Sequence, residues 1–370
     1  MSNVIIGLGN CGCQIVKTIA TYPEFNEFEL FAIDSVTSHV TMDTIARVKY
    51  FSIQSDDKQG SGRSRERGAE MFKFHNSNKE FDDIYRTCQT AKSPVIVITS
   101  SAGGTGSGST PCICHELISR GVYVIPVIIS PNKDDPDAFH LNSNDLFVEL
   151  DNLKDTYGDH GIKAYSVFEN KRGDADYSYV NNEVINMLSI IFGKKYDITD
   201  KDSIDDSDLD TILNVPGRFI SVSASGTSVE SLKREIFNKL FNGYQPVFTD
   251  EDTKGTIVTA FGLKSSYADK DFKNVFEEVN KRLTHTFDEY RNIVIDDNGG
   301  VMEASIIITG LNKPVTKEIV SEYNLAQSMS VGIQKSNRPG FMTRKKAMVH
   351  EVVDDTGNKR KVFDWNKDVK

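Results

Sequence analysis

Tryptophan is nearly missing from the 370-residue chain: the one residue of that type, Trp365, lies in the last few positions and makes a poor reporter of any core. No apolar run approaches the roughly 20 residues that cross a bilayer. No secretory leader opens the sequence, so a cytoplasmic protein without a membrane partner is expected. Cysteines number five. That odd count, without the spacing of a small stapled scaffold, argues for a reducing compartment. Positive charge is in deficit, with 43 Lys and Arg against 53 Asp and Glu and a net charge of −10. Direct nucleic-acid binding by the body of the protein is therefore not expected. What is present is ordinary for a soluble globular chain: 38% hydrophobic and 26% charged residues, over a length sufficient for two domains and a large core.

The most informative stretch is residues 95–111. It begins as an unbroken run, Val95 to Thr99, apolar enough to be a strand buried on both faces. It then becomes Gly103-Gly104-Thr105-Gly106-Ser107-Gly108. Glycines let the backbone turn tightly, come close to a ligand and point N–H groups at an anion. Ser109 or Thr110 is placed to cap the next helix, with Pro111 in its first turn. Strand, glycine loop and helix start together make a phosphate cradle. No Gly-Lys-Ser/Thr follows, so this is not a P-loop, and the spacing is not that of a dinucleotide fingerprint.

A second glycine turn, Gly7-Leu8-Gly9-Asn10-Cys11-Gly12, follows the short strand at residues 3–9. Taken alone it also suits a Rossmann dinucleotide site. Further strands are expected at 28–34, ending in Asp34, at 122–129 and at 163–169, alternating with helices at 69–89 and 144–155. Asp34 sits where a Rossmann acidic residue would hold a ribose, and suits a plain strand-end cap equally. The alternation gives an α/β fold with a doubly wound parallel sheet. Tyr177 and Asn181 are four apart and share a helical face. Residues 197–210 hold seven aspartates, a solvated loop or a cation site by composition. Beyond 210, strands at 218–225, 255–263, 292–296 and 302–310 and helices at 231–241 and 269–287 make a smaller α+β unit. Asp297-Asn298-Gly299-Gly300 signals a hairpin between its last two strands. Cys11-x-Cys13 and Cys112-x-Cys114 allow a thiolate zinc site on paper, but no metal site is expected, because both pairs open helices beside glycine loops and Cys13 and Cys114 fit as packing residues.

Gly-Gly-Thr-Gly-Ser-Gly at 103–108 resembles the signature of the tubulin/FtsZ superfamily, and Cys11-Gly12-Cys13-Gln14-Ile15 is similar to the first nucleotide loop of tubulin. The resemblance runs from residue 1 to about 311 and loses specificity beyond 210. It implies GTP or GDP with Mg, held by Gly9, Asn10, Cys11, Gly60, Ser61, Gly62, Gly103, Gly104, Thr105, Gly106, Ser107, Asn170, Tyr177 and Asn181. Tyr177 would stack on the guanine and Asn181 would read its edge, with Asn182 as the alternative in a shifted register. Asp205 and Asp208, with Asp202, would act in the nucleotide site of the next subunit of a head-to-tail filament. The Asn that FtsZ carries in this loop is replaced, in our alignment, by Ser203. The implied layout is a GTP-binding domain at 1–173, a central helix and acidic synergy loop at 174–213, and a second, activation domain at 214–312. A C-terminal helix at 313–337 and a flexible, partly basic tail at 338–370 follow. From Lys335 onward there are ten basic and five acidic residues. This ending looks like the TubZ-type plasmid and phage branch. It implies a DNA-bound adaptor of TubR type as a further partner, a role in DNA segregation and a bacterial host cytoplasm. A nucleotide-gated adaptor-binding module, or a cell-shape protein with little turnover, is the alternative.

Overall fold

A computed structural model describes residues 2–41, 44–55, 60–92, 94–170, 177–192, 206–245, 257–265, 268–282, 286–295, 301–312, 348–353 and 359–364. Its frame is a ten-stranded sheet. Strands β1 (Val4–Leu8), β2 (Glu29–Asp34), β3 (Val48–Ser52), β4 (Val95–Ser100), β5 (Val124–Ser130) and β6 (Ala164–Glu169) are all parallel, in the order β3-β2-β1-β4-β5-β6. Chain direction across the sheet reverses between β1 and β4. In doubly wound sheets the crevice at such a switch point, beyond the carboxyl ends of the strands, is where ligands bind. Strand β7 (Gly217–Gly226) continues parallel to β6. Beyond it β10 (Met302–Leu311) runs antiparallel to both β7 and β8 (Ile257–Ser265), and β9 (Thr286–Ile295) pairs with β8 at the edge.

The central strands are apolar at every position because both faces are covered. On β4, Ile96 and Ile98 point to one side and Val95 and Val97 to the other. The first side is covered by α1 (Gly9–Ile19) and α7 (Ser178–Ile191), through Ile15, Val16, Ile19, Val184, Leu188 and Ile191. The second is covered by α3 (Arg65–Asn76), α4 (Lys79–Gln89), α5 (Thr105–Ser119) and α6 (Asp137–Tyr157), through Phe72, Phe81, Leu117 and Leu146. A third cluster packs α9 (Val229–Asn242) and α10 (Ala268–Arg282) on β7 and β10. Two shorter helices in the chain are α2 (Thr37–Thr41) and α8 (Asp206–Leu213).

Several expectations change. The helix expected at 69–89 is two helices, broken at Ser77-Asn78, where short polar side chains offer the backbone local partners; Asn78 bonds back to His75. Helix α5 begins at Thr105, so Pro111 lies inside it and neither Ser109 nor Thr110 caps it. Helix α6 begins at Asp137, seven residues before expected, because Asn142, Ser143 and Asn144 disguise its first turns as polar loop. Strand β3 was not foreseen; as the edge strand it lacks the doubly buried pattern. The expected hairpin does not form: β8 lies between β9 and β10, so these two strands are not paired. The glycine-rich turn signal is local, whereas the sheet order is set by which apolar faces pack. In the tail, β11 (Met348–Val353) and β12 (Lys359–Asp364) pair as an antiparallel ribbon that has no counterpart in the expectations. The C-terminal helix expected at 313–337 lies outside the described residues.

The crossing of α3 and α5 fixes the geometry around the switch point. A Cβ at Gly108 would stand 2.1 Å from the Arg65 carbonyl oxygen, a backbone atom that cannot swing away. Arg65 is itself buried and tied to Glu149 at 2.7 Å and to the Asn142 carbonyl at 3.0 Å. Gly108→Ala should therefore force the two helices apart and destabilise the protein by roughly 1–3 kcal/mol. Urea unfolding checks this, and an unchanged midpoint would show that the helices are not held in contact here.

Candidate functional site

Three loops converge at the carboxyl ends of β1, β3 and β4. The β1–α1 turn passes through Gly9 at φ +67°, and a Cβ there would meet the Gly106 nitrogen at 2.9 Å. In the β4–α5 loop, Gly104 is so close to the third loop that a Cβ would lie 2.6 Å from Ser61 Oγ and 2.7 Å from the Arg63 backbone. Gly103 and Gly62 instead border open space. The loops are therefore pressed together at some glycines and left open at others, which is what a cradle for a ligand requires.

Three buried hydroxyls tie the loops to one another. Thr105 Oγ1 lies 2.6 Å from Ser35 Oγ, just after β2, and 2.9 Å from Ser61 Oγ. Helix α5 starts at this point. Its first turn closes with Gly108 N–H donating to the Gly104 carbonyl at 2.9 Å, so the N–H groups of the residues before Gly108 point out of the helix end. They bring the positive end of the helix dipole to the loop, a favourable place for an anion. Ser107 Oγ folds back onto the Gly103 carbonyl and stiffens the turn.

Charged side chains beside the loops are mostly engaged within the protein. Asp34 accepts from Ser35 N–H at 2.7 Å and meets His39 Nδ1 at 2.7 Å. Burial pushes its carboxyl above the usual range, against the pull of His39. Both its oxygens serve the strand end, so the capping role is the one the geometry provides. Arg65 is used in the core, as described above. Arg63 is the described non-glycine residue with a positive φ, +67°, and its guanidinium lies 5.0 Å from the centre of the Phe139 ring of α6. Asn10 is exposed and Cys11 is half-buried at the start of α1. Burial raises the Cys11 thiol to about 12, which keeps it protonated beside the loop. Cys13 and Cys114 are buried within the two sides of the core. Among the described residues no group of three or more His, Cys, Asp or Glu side chains is placed to hold a metal ion.

Helix α6 supplies what the sequence did not reveal. Asn142 Nδ2 reaches the carbonyls of Ala102 at 3.0 Å and Arg63 at 3.1 Å, with Gly103 at 3.5 Å, so one amide bridges two of the loops. His140 and Ser143 are buried on the same helix, and His140 Nε2, Ser143 Oγ and Asn144 Oδ1 have no protein partner. No residue pattern announces them, because the helix start itself was hidden. Asn170, at the end of β6, is held by its backbone: its N–H donates to the Ser130 carbonyl at 3.1 Å and its carbonyl accepts from Asn132 Nδ2 at 2.8 Å. Its side-chain Oδ1 is buried without a partner. A buried amide oxygen left open in this way suits a ligand that donates hydrogen bonds.

The remaining expected site residues lie on α7 and α8 or outside the described residues. Tyr177 precedes α7 and is 72% exposed; Asn181 N–H donates to its carbonyl at 3.1 Å, which sets the two side by side on the first turn. Asn181 is half-buried and Asn182 exposed. Asp202 and Asp205 lie outside the described residues. Asp208 is on α8, whose last residue, Leu213, accepts from Tyr123 Oη through its carbonyl. Tyr123 immediately precedes β5, so α8 is anchored at the amino end of the strand. The glycine loops are at the carboxyl ends. With a strand of seven residues between the two ends, at roughly 3.3 Å per residue, Asp208 belongs to the opposite end of the sheet from the cradle of its own chain.

A switch-point cradle of backbone N–H groups at a helix start defines a phosphate-binding α/β domain. Residues 2–147 match the GTPase domain of the Tubulin/FtsZ family. The chain is 26% identical over 280 residues to the tubulin-like protein CetZ1 of Haloferax volcanii; the match takes in 66% of this chain and 65% of that protein's length. A protofilament of Bacillus thuringiensis TubZ in its GTPγS form is similar in fold, with a TM-score of 0.67 at 18% identity over 89% of this chain and 94% of that one. So is the GTPγS-bound protofilament of CetZ2 from H. volcanii, with a TM-score of 0.67 at 14% identity over 90% and 100% of the two chains. Both structures are protofilaments. Among the described residues no helix is long and apolar enough to cross a membrane.

The bridge from α6 is testable without any ligand. Asn142→Ala removes the donor shared by the two loops and should cost roughly 1–3 kcal/mol of stability. Limited proteolysis should then cut faster at residues 60–64 and 101–104 than in the parent. Equal cutting rates would show that the loops hold their own positions.

Proposed function

We propose that the chain binds GTP in the switch-point cradle and hydrolyses it when assembled head-to-tail. One observation carries the proposal: the start of α5 and the loops at Gly9, Gly60–Gly62 and Gly103–Ser107 meet at the carboxyl ends of the strands, while Asp208 lies at the other end. The polyphosphate is received by the N–H groups at the start of α5 and by the open edge at Gly103. Asn10 and Cys11 face the same anion from α1. The unpartnered Asn170 Oδ1 accepts from the nucleoside, Tyr177 stacks on guanine, and Asn181 reads its edge. Mg²⁺ carried on the phosphates supplies charge neutralisation.

Hydrolysis of this anhydride needs positioning and charge management more than covalent chemistry. Asp205 and Asp208, with Asp202 beside them, orient the attacking water, but they do so in the nucleotide site of the neighbouring subunit. The isolated chain then turns over slowly, and each head-to-tail contact completes a site, which makes an open filament rather than a closed ring. Residues 1–173 carry the nucleotide, 174–213 the central helix and acidic loop, and 214–312 the activation domain. The segments 313–337 and 338–370 serve the next subunit and a DNA-bound adaptor of TubR type, in plasmid or phage DNA segregation in a bacterial cytoplasm. A chromosomal, cell-shape role is the second reading. Neighbouring genes separate the two: a small helix-turn-helix protein beside tandem DNA repeats means segregation.

GTP should drive the protein into the pellet on ultracentrifugation, and phosphate release per chain should rise steeply with protein concentration. The double variant Asp205→Ala, Asp208→Ala should still pellet with GTP but lose turnover by a factor of about 10² or more, as expected when groups that position a reacting atom are removed. Unchanged turnover in that variant, or no GTP-dependent pelleting by the parent, contradicts the proposal.

A further inference from the structure

A second cavity lies away from the glycine loops, between α7, α9, β7 and the segment 243–245, with a volume of about 220 Å³. Its walls are polar for an interior space. Lys239 of α9 meets Glu183 of α7 across it at 3.5 Å. Gln245 is fully engaged on the floor: its Oε1 accepts from Ser221 N–H at 3.0 Å and its Nε2 donates to Ser166 Oγ. Two groups stand out. Ser221 is 94% buried and its Oγ has no partner, and Glu235 is half-buried in the cavity wall. A buried hydroxyl without a hydrogen bond is uncommon in a folded protein and points to a ligand that supplies one.

We propose that this cavity binds a small organic cation, an ammonium or guanidinium compound. The charge balance selects the class: two carboxylates, Glu183 and Glu235, face a single ammonium, Lys239, that already has one of them. An N–H donor entering the cavity satisfies Glu235 by a charge-assisted hydrogen bond and Ser221 Oγ by a neutral one. An anion would meet two carboxylates and one occupied lysine, and an apolar ligand would leave both Glu235 and Ser221 unserved. Glu183 lies on α7, two residues beyond Asn181, so a bound cation touches the helix that Tyr177 precedes and whose first turn carries Asn181.

Titration calorimetry with agmatine, which carries both a guanidinium and an ammonium group, tests this on the full chain, with succinate as a dianion control. One agmatine per chain should bind, and succinate should not. Glu235→Gln should weaken agmatine about tenfold or more, and Ser221→Ala should weaken it by a smaller factor. Ser221→Ala should leave the melting temperature of the ligand-free protein unchanged or raised, since it removes an unpartnered polar atom. Glu235→Gln should melt like the parent, which separates lost binding from lost folding. No heat at millimolar agmatine, equal affinity in Glu235→Gln, or binding of succinate in the same cavity overturns the proposal.

Discussion

The contact on which the rest depends is backbone against backbone at the crossing of α3 and α5. Glycines on both helices allow this approach: a Cβ at Gly68 would strike the Gly104 carbonyl, and one at Gly108 would strike the Arg65 carbonyl. Because α5 starts four residues earlier, at Gly104–Thr105, its depth against α3 also sets where its positive end faces the loops. The same closeness presses Ser61 against Gly104 and brings the hydroxyls of Ser35, Ser61 and Thr105 into contact. The cradle is thus a consequence of packing. Its donors are main-chain groups, whose positions are held by the fold and need no side-chain ordering when an anion arrives.

A cradle of this kind binds but has little with which to react. Arg65 and Asp34, two charged residues beside the loops, are committed to Glu149 and Asn142, and to Ser35 and His39. The acidic helix α8 is tied through Leu213 to Tyr123 at the amino ends of the strands. Donors and carboxylates therefore sit at opposite ends of one sheet. Stacking two copies end to end, as proposed above, would join them; the TubZ and CetZ2 structures similar in fold are protofilaments.

Much of this was legible in the sequence, and the reasons are local. Val95–Thr99 declared a doubly buried strand, and the glycines after it declared a loop, because neither pattern has another common use. What was hidden involved longer range. Helix α6 conceals its first two turns behind Pro136 and a polar run, and with them Asn142, whose bridge to Ala102 and Arg63 spans about 40 and 79 residues of sequence. Strand β3, at the sheet edge, fully buries only Val48 and so lacks the pattern of its neighbours. The insertion of β8 between β9 and β10 is a long-range strand order, which a turn motif does not encode. Ser35 looked like any residue after a strand, yet it is one of the hydroxyls that join the loops.

The central claim is that one chain supplies the anion cradle and the next supplies the carboxylates. A cryo-electron microscopy structure of the chain assembled with a slowly hydrolysed GTP analogue tests it most directly. The account predicts the phosphates within hydrogen-bonding distance of the N–H groups of residues 103–107, with α8 of the following subunit facing the terminal phosphate. A nucleotide bound elsewhere, or a filament contact that leaves these loops open to solvent, would contradict it.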